Sequence, residues 1–363
     1  MPEREKTFFQ TLHGHVKKHW LTVSFLLGFI TDFIMLNRVD GLSDNLILLG
    51  YVTLTVIFIL LFYSGVAERW GTKTSRFFRN HMPKLMQYAL GGLLSGMFIF
   101  YGRSGDWING LPFLLIIVAV VIGNETVHKR SDRLVFHLVT FYIGLFSYLV
   151  LVLPVIFGVM GDFMFTMSGF VSLILITIVI QLVYRIVPNF LRINLRRIIL
   201  VIGIIYIAFN SLYFTSAIPP IPLSLSKLSM AHSVTKVDNG SYRVVSERQP
   251  WYTELPFLTP TLHLADGSLS CFARVYAPAK IHTDIYHRWE YKNTNGDWVQ
   301  KSRIQYPISG VNPNGYRGYT TITANSDGLW RCSVETARGQ VLGRTTVRVQ
   351  LGGTVRSLVT RTE

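Results

Sequence analysis

The side chains with the widest chemical repertoire lie on one stretch of the C-terminal third. His287 and Trp289 alternate with Asp284, Tyr286, Arg288 and Glu290, so in a strand the two sets face opposite sides. Trp289 is the expected core residue. His287, beside it, is either a buried histidine with a hydrogen-bond partner or a ligand-contacting group. Arg288 and Glu290 form an outward pair of little energetic value. His282, Asp284 and His287 are metal-ligating types, but His282 and His287 fall on opposite faces of a regular strand. No H-E-x-x-H, paired C-x-x-C or spaced third histidine accompanies them, so no metal is expected.

Tyr316, Arg317 and Tyr319 follow a Pro/Gly-rich turn and combine two amphipathic rings with a guanidinium suited to carboxylate or phosphate. Such a loop suits recognition; the alternative is a turn entering the next strand, its rings packed on the domain and Arg317 stacked on one of them. Catalytic patterns are missing. There is no G-x-S-x-G elbow, no S-x-x-K and no Gly-rich phosphate loop. Carboxylates are few and partly spent in turns, which argues against a two-carboxylate hydrolase. Neither an enzyme nor a cofactor is expected.

Two further candidates sit in apolar surroundings. Asp32 is the acidic residue inside an apolar run, joined by His137, Gln87, Gln181 and Asn210, and charge buried in hydrocarbon is costly enough to mark function. Asp32 is expected to reach the interface, to pair with Arg38, or to mark a proton or ion path. Ala89, Gly92 and Gly96, with Gly91 and Ser95, form a small-residue face that permits close helix packing. Pro154 is a kink candidate.

The elements that position these groups follow from composition. The chain has 363 residues, 50% hydrophobic and 15% charged, with a formal net charge of +15 from 35 Lys+Arg and 20 Asp+Glu. Apolar runs at Trp20–Leu36, Leu46–Ala67, Leu85–Tyr101, Ile108–Gly123, Leu134–Gly158, Phe163–Tyr184 and Ile198–Ile218 predict seven membrane spans. The third and fourth are short and alternatively form a re-entrant hairpin. Segments 1–19, 68–84, 124–133 and 185–197 hold sixteen Lys/Arg, against Arg38 and Arg103 alone in the alternate loops. The positive-inside rule then places the N-terminus in the cytoplasm and everything after Ile218 outside. Basic residues so distributed face anionic lipid, not nucleic acid. Arg76–Arg79 and Phe190–Arg197 mix apolar and basic residues as interfacial helices do.

Pro219, Pro220 and Pro222 end the helical pattern. Beyond them, strands are predicted at Tyr242–Ser246, Leu269–Val275, Asp284–Lys292, Trp298–Tyr306, Gly318–Ala324, Leu329–Thr336 and Gln340–Gln350, separated by Gly, Asn and Asp turns. The expectation is a membrane all-α bundle followed by an all-β immunoglobulin-like sandwich. Its segments are 1–19 (cytoplasmic), 20–218 (helical), 219–235 (linker), 236–353 (sandwich) and 354–363 (tail). Cys271 and Cys332 flank Trp289 in sequence, the order of an immunoglobulin-type sandwich whose bridge carries an indole; the alternative is two buried free thiols.

The segments Cys271-Phe-Ala-Arg-Val, His287-Arg-Trp-Glu-Tyr, Gly315-Tyr-Arg-Gly-Tyr-Thr, Gly328-Leu-Trp-Arg-Cys-Ser-Val-Glu-Thr and Gly339-Gln-Val-Leu-Gly, in this order, resemble the bacterial extracytoplasmic domain-of-unknown-function family 2914. The Pro219–Leu225 linker is similar to the one preceding that domain in longer multi-pass envelope proteins. The resemblance implies a bacterial inner-membrane setting with the domain periplasmic where there is an outer membrane and extracellular otherwise, and it implies no activity. The expected function is a binding module for an envelope glycan, lipid head group or protein partner. The competing expectation is a transporter or lipid-handling protein in which the bundle is the active part.

Overall fold

The computed structural model describes residues 19–36, 42–102, 115–116, 118–123, 126–127, 130–159, 161–215, 223–237, 241–250, 258–276, 283–308, 315–352 and 357–363. The chain divides into two compact units, a helical one reaching Ala217 and a β-rich one from Ile218 to Glu363.

In the helical unit, α1 is Trp20–Met35, α2 Leu42–Val66, α3 Gly71–Gly102, α4 Arg130–Phe157, α5 Asp162–Ile186 and α6 Pro188–Phe214. Four helical stretches are long and apolar enough to cross a membrane: Ser43–Val66, Arg133–Phe157, Asp162–Ile186 and Pro188–Phe214. The predicted run at Leu85–Tyr101 is only the apolar part of a longer helix, and the described part of the run starting at Ile198 is likewise preceded by a helical segment, α6 ending at Phe214. α3 and α6 extend back through Arg76–Arg79 and Phe190–Arg197, so these basic segments belong to the same helices as the apolar runs that follow them. Pro188 starts α6 at the first turn, where its missing N–H leaves no bond unmade. α4 continues through Pro154. The first half of the Ile108–Gly123 run and Arg38 lie outside the described residues.

The small-residue face does what its composition suggests. A Cβ on Gly91 would lie 2.0 Å from the Phe25 carbonyl oxygen, and one on Gly28 would lie 2.1 Å from that of Tyr88. The α1 and α3 backbones therefore touch, an approach open only to glycine. Asp32 is fully buried beside this contact instead of reaching an interface. It accepts hydrogen bonds from the Tyr51 hydroxyl at 2.7 Å and the Ser95 hydroxyl at 2.8 Å, joining α1, α2 and α3. Two of the basic connections meet: the Arg69 guanidinium donates to the carbonyls of Arg185 and Ile186 at the end of α5.

The β-rich unit has eleven described strands: β1 Ser224–Ala231, β2 Ser233–Lys236, β3 Tyr242–Glu247, β4 Thr261–Leu264, β5 Ser268–Tyr276, β6 Thr283–Lys292, β7 Trp298–Ile308, β8 Tyr316–Thr323, β9 Gly328–Thr336, β10 Val341–Leu351 and β11 Leu358–Thr362. All seven predicted strands are present. β1 and β2 occupy most of the stretch read as linker, and β11 lies in the stretch read as tail. Three sheets form, with orders β1-β5-β8, β4-β10-β9-β6-β7 and β11-β3-β2. Turns follow their signals; at Asp266-Gly267 the glycine has φ +71° and the aspartate accepts from the Ser268 N–H.

The first and second sheets enclose a core of Met230, Leu262, Leu269, Trp289, Trp330, Val347 and Val349 around Cys271 and Cys332. The two cysteines are joined in a disulfide, with Cα atoms 6.5 Å apart. Cys271 pairs with Thr320 across β5 and β8, and Cys332 pairs with Trp289 across β9 and β6. A second cross-sheet link lies beside the bridge: the Trp289 indole N–H donates to the Thr320 hydroxyl oxygen at 3.0 Å, and His287 Nδ1 lies 2.8 Å from that oxygen. The opposite face of β5 packs Phe272 with Ala231, Val234 and Val244, so the β1-β5-β8 sheet is covered on both sides.

Thr320→Val is expected to lower domain stability by about 1–3 kcal/mol, because it strands a buried indole N–H. Removing the bridge with Cys271→Ala and Cys332→Ala, at a sequence separation of 61, is expected to cost about 4 kcal/mol in the chain-entropy model. Denaturant unfolding followed by tryptophan fluorescence measures both; a Thr320→Val midpoint equal to that of the parent would remove the hydroxyl from the account.

Candidate functional site

Period-two alternation decides which predicted residues meet. Tyr316 and Thr320 point from β8 toward the core, whereas Arg317 and Tyr319 point to the other face. There the strand register aligns three cations: Lys227 of β1 opposes Arg274 of β5, which opposes Arg317 of β8. Like charges directly opposite repel, so such a row needs an anion. Glu363 supplies one. Its carboxylate contacts Lys227 through Oε1 and Arg274 Nη2 through Oε2 at 3.0 Å, while Arg317 Nη1 donates to its backbone carbonyl at 2.8 Å. Two rings flank the row. The Arg317 guanidinium lies 5.9 Å from the Tyr242 ring centroid, and Tyr242 meets Tyr319 edge-on at 5.9 Å. Arg274 Nε is buried without a hydrogen-bond partner. Three cations gathered on Glu363, with a spare donor on Arg274, form a site able to hold an acidic group.

The other predicted binding residues lie elsewhere. Tyr316 is buried, and that burial raises its phenol pKa. His287 has no exposed surface, so the ligand-contacting alternative gives way to the buried one. Its Nε2 and the Tyr306 hydroxyl are both buried without partners, with the two rings 4.8 Å apart. Burial pushes the Tyr306 phenol up and drives the His287 pKa down to about 3. Arg288 lies on the outer face of the five-stranded sheet, 3.3 Å from Glu335 and 3.6 Å from Glu290. The pairing expected to be solvated belongs to a denser network. Arg303 bonds Glu335 at 2.6 Å, Arg331 bonds Glu290 at 2.8 Å, and these two guanidiniums lie over the rings of Tyr286 and Trp298.

Of the imagined metal ligands, His282 lies outside the described residues and Asp284 is half-buried on β6. The ligand atoms of Cys271, His287 and Cys332 all lie within 4.8 Å of one another, but sulfurs bonded to each other offer no thiolate. In the helical unit the Tyr63 hydroxyl lies 3.2 Å from Nδ1 of buried His137, a pairing that sequence alone did not suggest. Lys227, Arg274, Tyr242 and Glu363 were also missed, because each joins the site only through strand register.

Glu247 marks a second buried ionic group, where β3 meets β4. It accepts from the His263 backbone N–H at 2.8 Å and lies 3.1 Å from His263 Nδ1 and 3.3 Å from His232 Nε2. Burial pushes its pKa up, yet the His263 hydrogen bonds and the nearby His263 and His232 charges outweigh that and hold the carboxyl below its usual value.

Both shifts act in one direction with pH. A depressed carboxyl contributes stability above its unfolded pKa and loses it as pH falls through the folded one. A histidine at about 3 instead of 6.5 leaves the unfolded state binding more protons between those values, so stability falls on acidification there, by at most about 1.4 kcal/mol per pH unit. Urea midpoints measured from neutral to acidic pH are expected to drop, and His287→Phe is expected to flatten the drop between roughly pH 6.5 and 3. An unchanged profile in His287→Phe would contradict the assignment.

No curated protein matches the chain. Among solved structures, the Pseudomonas fluorescens alkylpurine DNA glycosylase AlkC bound to DNA containing an abasic site analog aligns over 86% of this chain and 100% of its own, at 9% identity and a TM-score of 0.22. A likeness that weak carries no argument about fold or function. Residues 282–349, from the start of β6 into β10, match the family described as Protein of unknown function (DUF2914). The match lies in the β-rich C-terminal region and is consistent with the family resemblance read from the sequence.

Proposed function

We propose that the chain is a multi-pass protein of a bacterial inner membrane, with a cytoplasmic N-terminus and an immunoglobulin-like C-terminal domain on the outer side. That domain is a binding module for an acidic envelope component: a glycan, a lipid head group or a protein partner. Membrane insertion is supported by the four long apolar helices and by the large apolar side chains that α5 and α6 leave exposed, among them Ile174, Ile178, Ile199 and Ile207. The outward side of the domain is supported by the Lys/Arg bias of alternate connections, two of which meet where Arg69 bonds the end of α5.

The observation that carries the binding reading is the Lys227–Arg274–Arg317 row with a carboxylate already seated on it. Arginine forks recognise carboxylate and phosphate in two-point fashion, and Tyr242 and Tyr319 offer ring faces to the rest of a ligand. In this reading Glu363 is an internal stand-in for the bound group.

The test uses the purified full-length protein with acidic oligosaccharides and with phosphatidylglycerol vesicles. Arg274→Gln is expected to weaken binding about tenfold or more, the effect of losing one charge-assisted bond. Glu363→Gln is expected to strengthen binding by removing the internal competitor. A Glu363→Gln variant that is merely less stable, with binding unchanged, would reduce the row to a structural ion cluster.

A further inference from the structure

At the basic end of the helical unit a cavity of about 280 Å³ is lined by Phe62, Tyr63, Val66, Arg79, Asn80, Arg133 and Phe190. Its wall divides by chemistry. Phe62, Val66 and Phe190 are apolar, Arg79, Arg133 and Asn80 supply donors, and the lining contains no carboxylate. The volume approaches the roughly 300 Å³ at which ordinary small-molecule pockets begin, enough for a phosphate with a short polyol.

Each arginine is held so that donors remain. Arg133 donates Nε to the Val127 carbonyl at 3.0 Å, which fixes its plane through one edge and leaves its terminal amines on the other. Among the described residues no carboxylate pairs with it. Arg79 is held by Glu68 through Nη1 at 2.9 Å, and that glutamate is mostly exposed. Glu68 is also the one described non-glycine residue with a positive φ, +52°, in the turn between α2 and α3. A non-glycine residue in that conformation is strained, and such strain persists where the surroundings over-determine it. Here it brings an anionic group to one edge of a cavity guanidinium.

We infer that this cavity is a phosphate site that takes the head group of an anionic phospholipid. The two guanidiniums and Asn80 hold the phosphate while the acyl chains leave along Phe62, Val66 and Phe190. Basic pockets between membrane helices on the cytoplasmic side are suited to such head groups. The inference rests on the helical unit spanning the membrane, though not on the binding role of the β-rich domain.

The test starts with alkaline extraction of membranes, which establishes that the full-length protein is integral. The protein is then purified in detergent, and bound lipid is measured by native mass spectrometry after exposure to phosphatidylglycerol or phosphatidylcholine, with and without millimolar inorganic phosphate. Phosphatidylglycerol is expected to be retained and phosphatidylcholine not. Arg79→Gln with Arg133→Gln is expected to lower phosphatidylglycerol affinity about tenfold or more, and Arg76→Gln, which removes a charge outside the cavity lining, to leave it unchanged. Val66→Trp keeps both guanidiniums but fills the cavity, and is expected to expel the lipid even if the double variant fails to fold. Displacement by inorganic phosphate would support the phosphate site with a free-phosphate source, and resistance to it would support the lipid source. Equal losses in Arg76→Gln and the cavity variants would overturn the inference, as would retention unaffected by Val66→Trp. Release of the protein by alkali would defeat the membrane reading itself.

Discussion

Two linked pairs of strands, one covalent and one polar, set the geometry of the β-rich unit. The Cys271–Cys332 bridge fastens β5 to β9, and the Trp289–Thr320 hydrogen bond fastens β6 to β8 immediately beside it. Because side chains alternate, holding Cys271 and Thr320 inward obliges Arg274, Arg317 and Tyr319 to face the other way. The cation row is thus a consequence of the core. A one-residue slip of β8 would turn Arg317 inward and send Thr320 to the far face, away from the indole. Burial of Trp289 and Trp330 supplies apolar energy but little directional preference, whereas the bridge and the hydroxyl supply the register.

The helical unit solves a different problem. Its helices are apolar on their exposed faces as well as their buried ones, so hydrophobicity alone gives little reason for one helix to choose another, and shape and polar pairing decide. Gly28 and Gly91 let two backbones touch, and Asp32 ties that contact to α2 through Tyr51. A carboxylate with no exposed surface and two hydroxyl donors specifies which helices meet and in what register.

What could be read from the sequence followed from local periodicity. Seven strands announced themselves by alternation, while β1, β2, β4 and β11 did not. Ser224–Ala231 reads Ser-Leu-Ser-Lys-Leu-Ser-Met-Ala after a proline run, and β2 and β4 are only four residues long. The basic segments before the apolar parts of α3 and α6 read as separate interfacial helices because hydropathy falls there, and in α3 Pro83 stands between the two parts, yet the helix runs through it. Tyr316 was grouped with Arg317 and Tyr319 by proximity in sequence, which the pleat overrides. The partners that define the sites were beyond local pattern: Asp32 meets residues 19 and 63 positions away, and Glu363 reaches Lys227 across 136.

The order in which the strands pair along the chain has a kinetic consequence. β4 lies parallel to β10, and β3 is flanked by β2 and β11, so strands near the start of the β-rich unit wait for partners close to residue 362. Contacts of such long range must pay loop-closure entropy before they return any stability, which slows folding. While the chain is being made, the Thr261–Leu264 edge and one edge of Tyr242–Glu247 stay open to any passing strand. The unit is therefore most exposed to mispairing during its synthesis, after β9 can close on β6 and before the last two strands arrive.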